Sequence, residues 1–192
     1  MTQLKDAISQ GVWLSRMTDQ AAWGLTDLIS AMGPDIQGIE IGVYHGVNSY
    51  MLLDACPTIK KIIGVDPFES YMDWQYMVTQ DVMDEAYAAF EENLELMKNR
   101  FELLKMKSVD AAAVLEDDAY DFVFIDGDHS IKAVLGELEM YVPKIKKGGL
   151  VAGHDIGLYS VNMAVQGWCR KNGVSPSDIH IVENQSWYWV KE

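Results

Sequence analysis

The chain alternates short apolar runs with longer amphipathic stretches. Ala22, Leu25, Leu28 and Ile29 recur at helical spacing. They predict a helix capped by Thr18 or Asp19 and stopped by Gly33-Pro34. Residues 37–42 (QGIEIG) read as a first strand, followed by a helix from Asn48 to Cys56 that Pro57 ends. Residues 61–66 (KIIGVD) read as a second strand, 78–99 as a long helix, and 101–106 as a third strand. Residues 120–126 (YDFVFID) have the continuous apolar run of a strand covered on both faces. A helix over 131–145 ends in Lys146-Lys147-Gly148-Gly149, a fifth strand spans 150–153, and a helix over 161–171 closes with Asn172-Gly173. Residues 179–183 and 187–190 form a hairpin across Asn184-Gln185. Strands alternating with helices are the mark of βαβ units. The pattern predicts one α/β domain over residues 1–192, with a helical segment over 1–33. Its sheet is doubly wound, mostly parallel and seven-stranded, with a C-terminal antiparallel hairpin.

Composition narrows the partners more than the fold. Hydrophobic residues make up 49% and charged residues 23% of 192. These are globular values, so a disordered chain or a fibre is excluded. Acidic residues outnumber basic ones 29 to 15, a net charge of −14. Such a surface repels phosphate backbones and anionic lipid. The densest basic stretches are Lys144, Lys146 and Lys147, then Arg170 and Lys171, and both read as helix C-terminal charges. Neither a nucleic-acid partner nor a membrane is expected, and a homo-oligomer stays open. No apolar run approaches the roughly 20 residues that cross a bilayer. Cys56 and Cys169 lack metal-ligand spacing and read as free thiols. A cytoplasmic protein is the expectation.

Ligands of open α/β sheets bind at the carboxyl ends of the strands, near the switch in strand order. The loop after the first strand reads Glu40-Ile41-Gly42-Val43-Tyr44-His45-Gly46-Val47-Asn48-Ser49. Its two glycines permit a sharp turn and close approach to a ligand. A dinucleotide site wants G-x-G-x-x-G, and here Tyr44 and Val47 hold the second and third glycine positions. A nucleoside without a bridging diphosphate fits better. Asp66 ends the second strand, where an acid can accept hydrogen bonds from ribose hydroxyls. The apolar Phe68 beside it can cover an adenine face.

The segments IEIGVYHGVNS, IIGVDPFE, YDFVFIDGDHS and KKGGLVAGHD occur in this order. Together they resemble the class I S-adenosylmethionine-dependent methyltransferases, whose fold is Rossmann-like, and in particular the small macrocin-type sugar O-methyltransferases. The resemblance runs over about residues 36–156. It implies S-adenosylmethionine as cofactor. Glu40, Gly42 and Gly46 would line its methionine and ribose, Asp66 would hold the ribose hydroxyls, and Phe68 would flank the adenine. Ser108 would sit near the adenine edge. Asn48 or Ser49 would bind the methionine carboxylate at a helix N-terminus. Asp126 counts with both the cofactor and the metal.

Strand four ends in Asp126-Gly127-Asp128-His129 and strand five in His154-Asp155. If the two strands are neighbours, these groups share one rim. Carboxylates gathered in a cleft need a cation or a proton between them. Oxygen donors with one imidazole suit Mg²⁺ or Mn²⁺ more than zinc. Metal-dependent members of the resembled family carry an acid at the end of strand four and a ligating pair at the end of strand five. Asp126 and Asp155 match that pattern, and His154 departs from it, because an acid is commoner there. His129 matches the position of the general base in the sugar-modifying members.

The expected reaction is methyl transfer to a hydroxyl of a small molecule: a sugar, a natural product or a catechol-like ring. Two other readings compete, a nucleotide-binding oxidoreductase and a non-catalytic module of the same fold. Tyr71, Met72, Trp74, Tyr76 and Met77 make 69–83 a candidate lid or acceptor wall. Trp13, Met17 and Trp23 read as packing residues.

Overall fold

The computed structural model describes residues 22–73, 76–97, 99–182 and 185–192. Trp13, Met17, Thr18, Asp19, Trp74, Glu183 and Asn184 lie outside the described residues. A 3₁₀ turn (Trp23–Leu25) leads into α1 (Thr26–Ala31). Then come β1 (Ile36–Ile41), α2 (Val47–Ala55) and β2 (Ile59–Val65). A small hairpin of β3 (Tyr71–Asp73) and β4 (Tyr76–Val78) precedes α3 (Gln80–Met97). β5 (Phe101–Leu104), α4 (Ser108–Val114), β6 (Tyr120–Ile125) and α5 (Ile131–Tyr141) follow. The chain closes with β7 (Ile145–Gly153), α6 (Tyr159–Asn172), β8 (His180–Ile181) and β9 (Trp187–Val190).

The main sheet has seven strands in the order β5-β2-β1-β6-β7-β9-β8. The first five run parallel, and β9 is antiparallel to both β7 and β8. The hairpin therefore does not simply extend an edge. Its second strand inserts between β7 and β8. Strand order reverses between β1 and β6, so the crevice of an open α/β sheet opens there, at Gly42 and Asp126.

The strands bury both faces, as their apolar runs require. On β6, Val123 and Ile125 pack into one cluster with Val134, Leu138 and Val165 of α5 and α6. Phe122 and Phe124 point the other way, into a cluster with Leu52, Phe90 and Phe101. The result is three layers, helix on sheet on helix. α3 buries Met83, Ala86, Phe90, Asn93 and Met97, a spacing of three and four that keeps one face on the core.

Several boundaries differ from expectation. The helix predicted over 131–145 ends at Tyr141, and a 3₁₀ turn (Val142–Lys144) carries Pro143 at its start. Proline lacks the N–H that would continue the α-helical ladder. Ile145 already belongs to β7, so Lys146 and Lys147 are not helix-end charges. Lys146 pairs instead with Asp121 at 2.7 Å. Tyr120 pairs with Ile145 and Phe122 with Leu150, so 146–149 bulges out of the ladder, with Gly148 at φ 79°. Arg170 and Lys171 do occupy the last turn of α6, ahead of the left-handed Gly173. α4 was not expected at all. No described helix is long and apolar enough to cross a membrane. Cys56 and Cys169 are buried free thiols.

Candidate active site

The loop leaving β1 is fixed from both sides. The Gly42 N–H donates to Val65 of β2 at 2.9 Å, and the Asp126 N–H donates to Ile41 at 2.8 Å. Gly42 has φ +85°, and a Cβ there would collide with the Asp126 carbonyl and with Gly127. Only glycine permits this approach of two strand ends. Gly46 begins α2 in the left-handed region at φ 73°, and a Cβ on it would stand 2.9 Å from the Phe90 ring.

Asp66 holds this loop from β2. One carboxylate oxygen accepts from the Val43 and Tyr44 N–H groups at 2.9 and 3.0 Å, and the other from Phe68 N–H at 2.8 Å. Tyr44 (φ 49°) carries its ring outward against His45, with centroids 3.9 Å apart. The Phe68 ring, expected over an adenine, is turned inward. It is buried against Tyr87 at 4.9 Å and Phe90 at 5.7 Å, because its backbone (φ 52°) aims it at the core. The Lys105 ammonium covers the Tyr87 ring at 3.3 Å.

Beneath the loop, Glu40 is only 1% exposed. It accepts from Asn48 Nδ2 at 2.8 Å and from the Ser49 hydroxyl. Asn48 Oδ1 accepts in turn from the Ala22 N–H at 3.0 Å. These side chains satisfy a buried acid, which leaves the backbone N–H groups of Asn48 and Ser49, and not their side chains, at the helix start where an anion is expected. Burial pushes Glu40 up to about 7, against the two hydrogen bonds, with Asp126 and Asp66 adding repulsion.

The rim of β6 and β7 gathers the remaining groups, since the two strands are adjacent. Asp126, His154 and Asp155 present donor atoms within 4.8 Å of one another. His154 Nδ1 stands 3.7 Å from Asp126 Oδ1 and 3.4 Å from Asp155 Oδ2. His129 Nε2 faces the same two oxygens, at 3.6 and 3.1 Å. The hydrogen bond from His154 holds the Asp155 carboxyl below the usual range, against its partial burial. His154 is 4% exposed and firmly braced. Its N–H donates to Ile125 at 3.0 Å, and its carbonyl accepts from Trp187 Nε1 at 2.9 Å. Asp128 is spent on its own turn, accepting from the Ser130 N–H at 2.8 Å. This donor set fits a divalent cation: two carboxylates and one imidazole, converging from two rigid strand ends.

One acid near the site escaped the sequence reading. Glu137 of α5 lies 5% exposed under the 126–129 loop, with Oε2 buried and lacking a hydrogen-bond partner among the described residues. Burial pushes it up to about 8, opposed by a hydrogen bond from Ser108. The signal was present, since Glu137 falls on the same helix face as Val134, Leu138 and Tyr141. Ser108 opens α4 just past β5, and its carbonyl accepts from the Tyr141 hydroxyl at 2.8 Å. The 69–83 segment holds the β3–β4 hairpin, with Met72, Tyr76 and Met77 exposed.

A family model described as a methyltransferase domain matches residues 39–156. An uncharacterized protein of Acanthamoeba polyphaga mimivirus, R132, is 28% identical over 132 residues, 63% of this chain and 52% of its own. The chain thus spans about half the length of that curated relative. Among solved structures, the O-methyltransferase NovP superposes with a TM-score of 0.64 at 16% identity, covering 88% of this chain and 76% of its own. An O-methyltransferase from Bacillus cereus, solved with SAH, gives 0.61 at 14% identity, with coverages of 87% and 79%. TomG from Streptomyces achromogenes, an O-methyltransferase of tomaymycin synthesis solved with SAM, gives 0.60 at 14% identity, with 88% and 79%. At these identities the superpositions speak for the fold. The family model spans more than half of the chain, from inside β1 to just past Asp155. The chain belongs to the methyltransferase domain family, as its resemblance to the class I S-adenosylmethionine-dependent methyltransferases implied.

Proposed function

We propose that this domain methylates a hydroxyl of a small molecule, taking the methyl group from S-adenosylmethionine and using a divalent ion, Mg²⁺ or Mn²⁺. A sugar, a natural product or a catechol-like ring fits as acceptor. One observation carries the reading. His129 Nε2 and the Asp126–His154–Asp155 donors meet at the strand ends beside the glycine loop and Asp66.

The cofactor supplies an electrophilic methyl on a sulfonium. Residues of β1 and β2 would bind it. Gly42 and Gly46 keep the loop low enough for a nucleoside to lie over it. Asp66 keeps one lone pair, on Oδ1, beyond its three backbone bonds, and this accepts a ribose hydroxyl. The first-turn N–H groups of α2, at Asn48 and Ser49, suit the methionine carboxylate. Glu40 supports that turn from below. Ser108 borders the adenine.

Asp126, His154 and Asp155 would hold the ion. When bound, it acts as a Lewis acid that lowers the pKa of an acceptor hydroxyl. His129 would take the hydroxyl proton at Nε2, and the Asp155 carboxylate, with Oδ2 3.1 Å away, would stabilise the imidazolium by its charge. Most of the rate comes from positioning, since the transfer needs no covalent enzyme intermediate. The exposed hairpin residues Met72, Tyr76 and Met77 serve as a wall for the acceptor.

The test is calorimetric titration with S-adenosylhomocysteine, with and without Mg²⁺, followed by methyl-transfer assays on trial acceptors with EDTA. Binding of the nucleoside and EDTA-sensitive transfer are expected. A protein that ignores S-adenosylhomocysteine would end the reading.

A further inference from the structure

The geometry points to a site that selects a first-row transition ion, Mn²⁺ or a heavier neighbour, over Mg²⁺, because His154 puts a rigid imidazole nitrogen where an oxygen donor would favour Mg²⁺. This deepens the metal reading above and rests on it.

His154 Nδ1 is not a bystander of the cluster. It stands 3.4 Å from Asp155 Oδ2 and 3.7 Å from Asp126 Oδ1. Ligand atoms about 2.1 Å from one small cation, at tetrahedral or right angles to each other, lie roughly 3.0–3.5 Å apart. The two separations from His154 are close to that range, and all three donors lie within 4.8 Å of one another, so a modest movement would bring them onto one ion. Nor is the histidine free to swing away. It is 96% buried, its N–H is tied to β6, and its carbonyl is tied to the Trp187 indole. Trp187 itself is fully buried and stacks on Trp189 at 5.5 Å. The backbone that carries the ring is therefore held by two ties, and burial limits where the imidazole can turn before any ion arrives.

Magnesium is a hard ion that demands near-octahedral oxygen ligands and gives up water reluctantly. Imidazole raises affinity along the first-row series, and it raises Mg²⁺ affinity little. A site with two carboxylate oxygens and one buried imidazole thus separates the two classes. Were residue 154 an acid, three oxygens would offer Mg²⁺ a better match.

Protein stripped by dialysis against EDTA would be titrated with Mg²⁺, Mn²⁺ and Co²⁺ by calorimetry. Pulsed electron spin resonance of bound Mn²⁺ would report imidazole nitrogen, and the visible spectrum of bound Co²⁺ would report the ligand field. The expected result is Mn²⁺ and Co²⁺ binding at least roughly tenfold tighter than Mg²⁺, with nitrogen modulation on bound Mn²⁺. In His154→Asp the modulation disappears and the preference collapses toward Mg²⁺. Equal affinities in the wild type, or bound Mn²⁺ without nitrogen modulation, would overturn this inference and leave the metal reading standing. No binding of any of the three ions would remove both. His129→Ala, which removes the second imidazole facing these oxygens, should keep both the preference and the modulation. Their loss there would assign the nitrogen to His129 and overturn the inference. This arm holds even if His154→Asp does not fold.

Discussion

His129 Nε2 lies 3.1 Å from Asp155 Oδ2, so the loop after β6 meets the loop after β7 across one acid–imidazole pair. If that nitrogen takes the acceptor proton, His129→Ala should lower kcat on the order of 100-fold, the usual scale for a general base. Its affinity for S-adenosylhomocysteine should stay at the wild-type value. Steady-state rates and calorimetry on the same preparation check this, and an unchanged kcat would remove His129 from the mechanism.

Gly42, just past β1, packs against Asp126 and Gly127, just past β6. In Gly42→Ala the residue must adopt φ +85° and push its methyl into the Asp126 carbonyl. The cost is at least about 1–3 kcal/mol from backbone strain alone. Chemical denaturation should show that loss, and nucleoside binding should weaken with it. A variant of wild-type stability would mean that the two strand ends separate easily.

Glu137 carries a pH signature. Burial, first of all, pushes its carboxyl up to about 8 from an ordinary value of 4.5, with Asp128 and Asp126 adding repulsion and Ser108 and His129 opposing. Tyr141, one turn along the same helix, is neutral and pushed up as well. A carboxyl raised in the folded state favours folding while protonated. Its contribution is whole below pH 4.5 and is lost as pH rises from there through about 8. Glu137→Gln lacks this loss. Thermal unfolding from pH 5 to 9 should therefore show the wild type falling further than the variant, by on the order of a few kcal/mol. Parallel curves would show that Glu137 titrates normally.

Arg100 serves as a control remote from the chemistry. Its guanidinium donates to the carbonyls of Leu53, Cys56 and Ile59 at 2.7, 2.8 and 2.9 Å, capping the end of α2. Arg100→Met should cost at least about 1.5–3 kcal/mol, the range for one hydrogen bond from a charged group. Nucleoside affinity in the folded fraction should not move. Denaturant melts paired with calorimetry separate the two effects, and a matching loss of affinity would show that α2 transmits strain to the loop.

The sequence made the strand ends legible because period and apolar run length are backbone properties. YDFVFID and GLVAGHD read as buried strands within an alternating strand–helix pattern, and adjacency of β6 and β7 then brought Asp126 to His154 and Asp155. Side-chain direction was not legible in the same way. Asn48 and Ser49 lie at a helix start, where an anion site was expected. Their side chains turn inward because Glu40, two residues before the glycine turn, needs partners. Phe68 turned inward for a comparable reason, since Tyr87 and Phe90 of α3 offered it an aromatic bed. The 131–145 boundary failed at Pro143, whose neighbours Lys144, Lys146 and Lys147 imitate a helix end. Glu137 was missed because an acid on an apolar helix face looks like a break in the pattern, when it is a group to be explained.

The indole of Trp187 braces the backbone of His154, and Trp187 sits on β9, more than thirty residues after His154. On a ribosome, β1 to β7 emerge first, and until residues 187–190 follow them His154 lacks its tie. A growing chain can thus lay down most of its sheet early, yet the rim at His154 is braced only once β9 has joined β7.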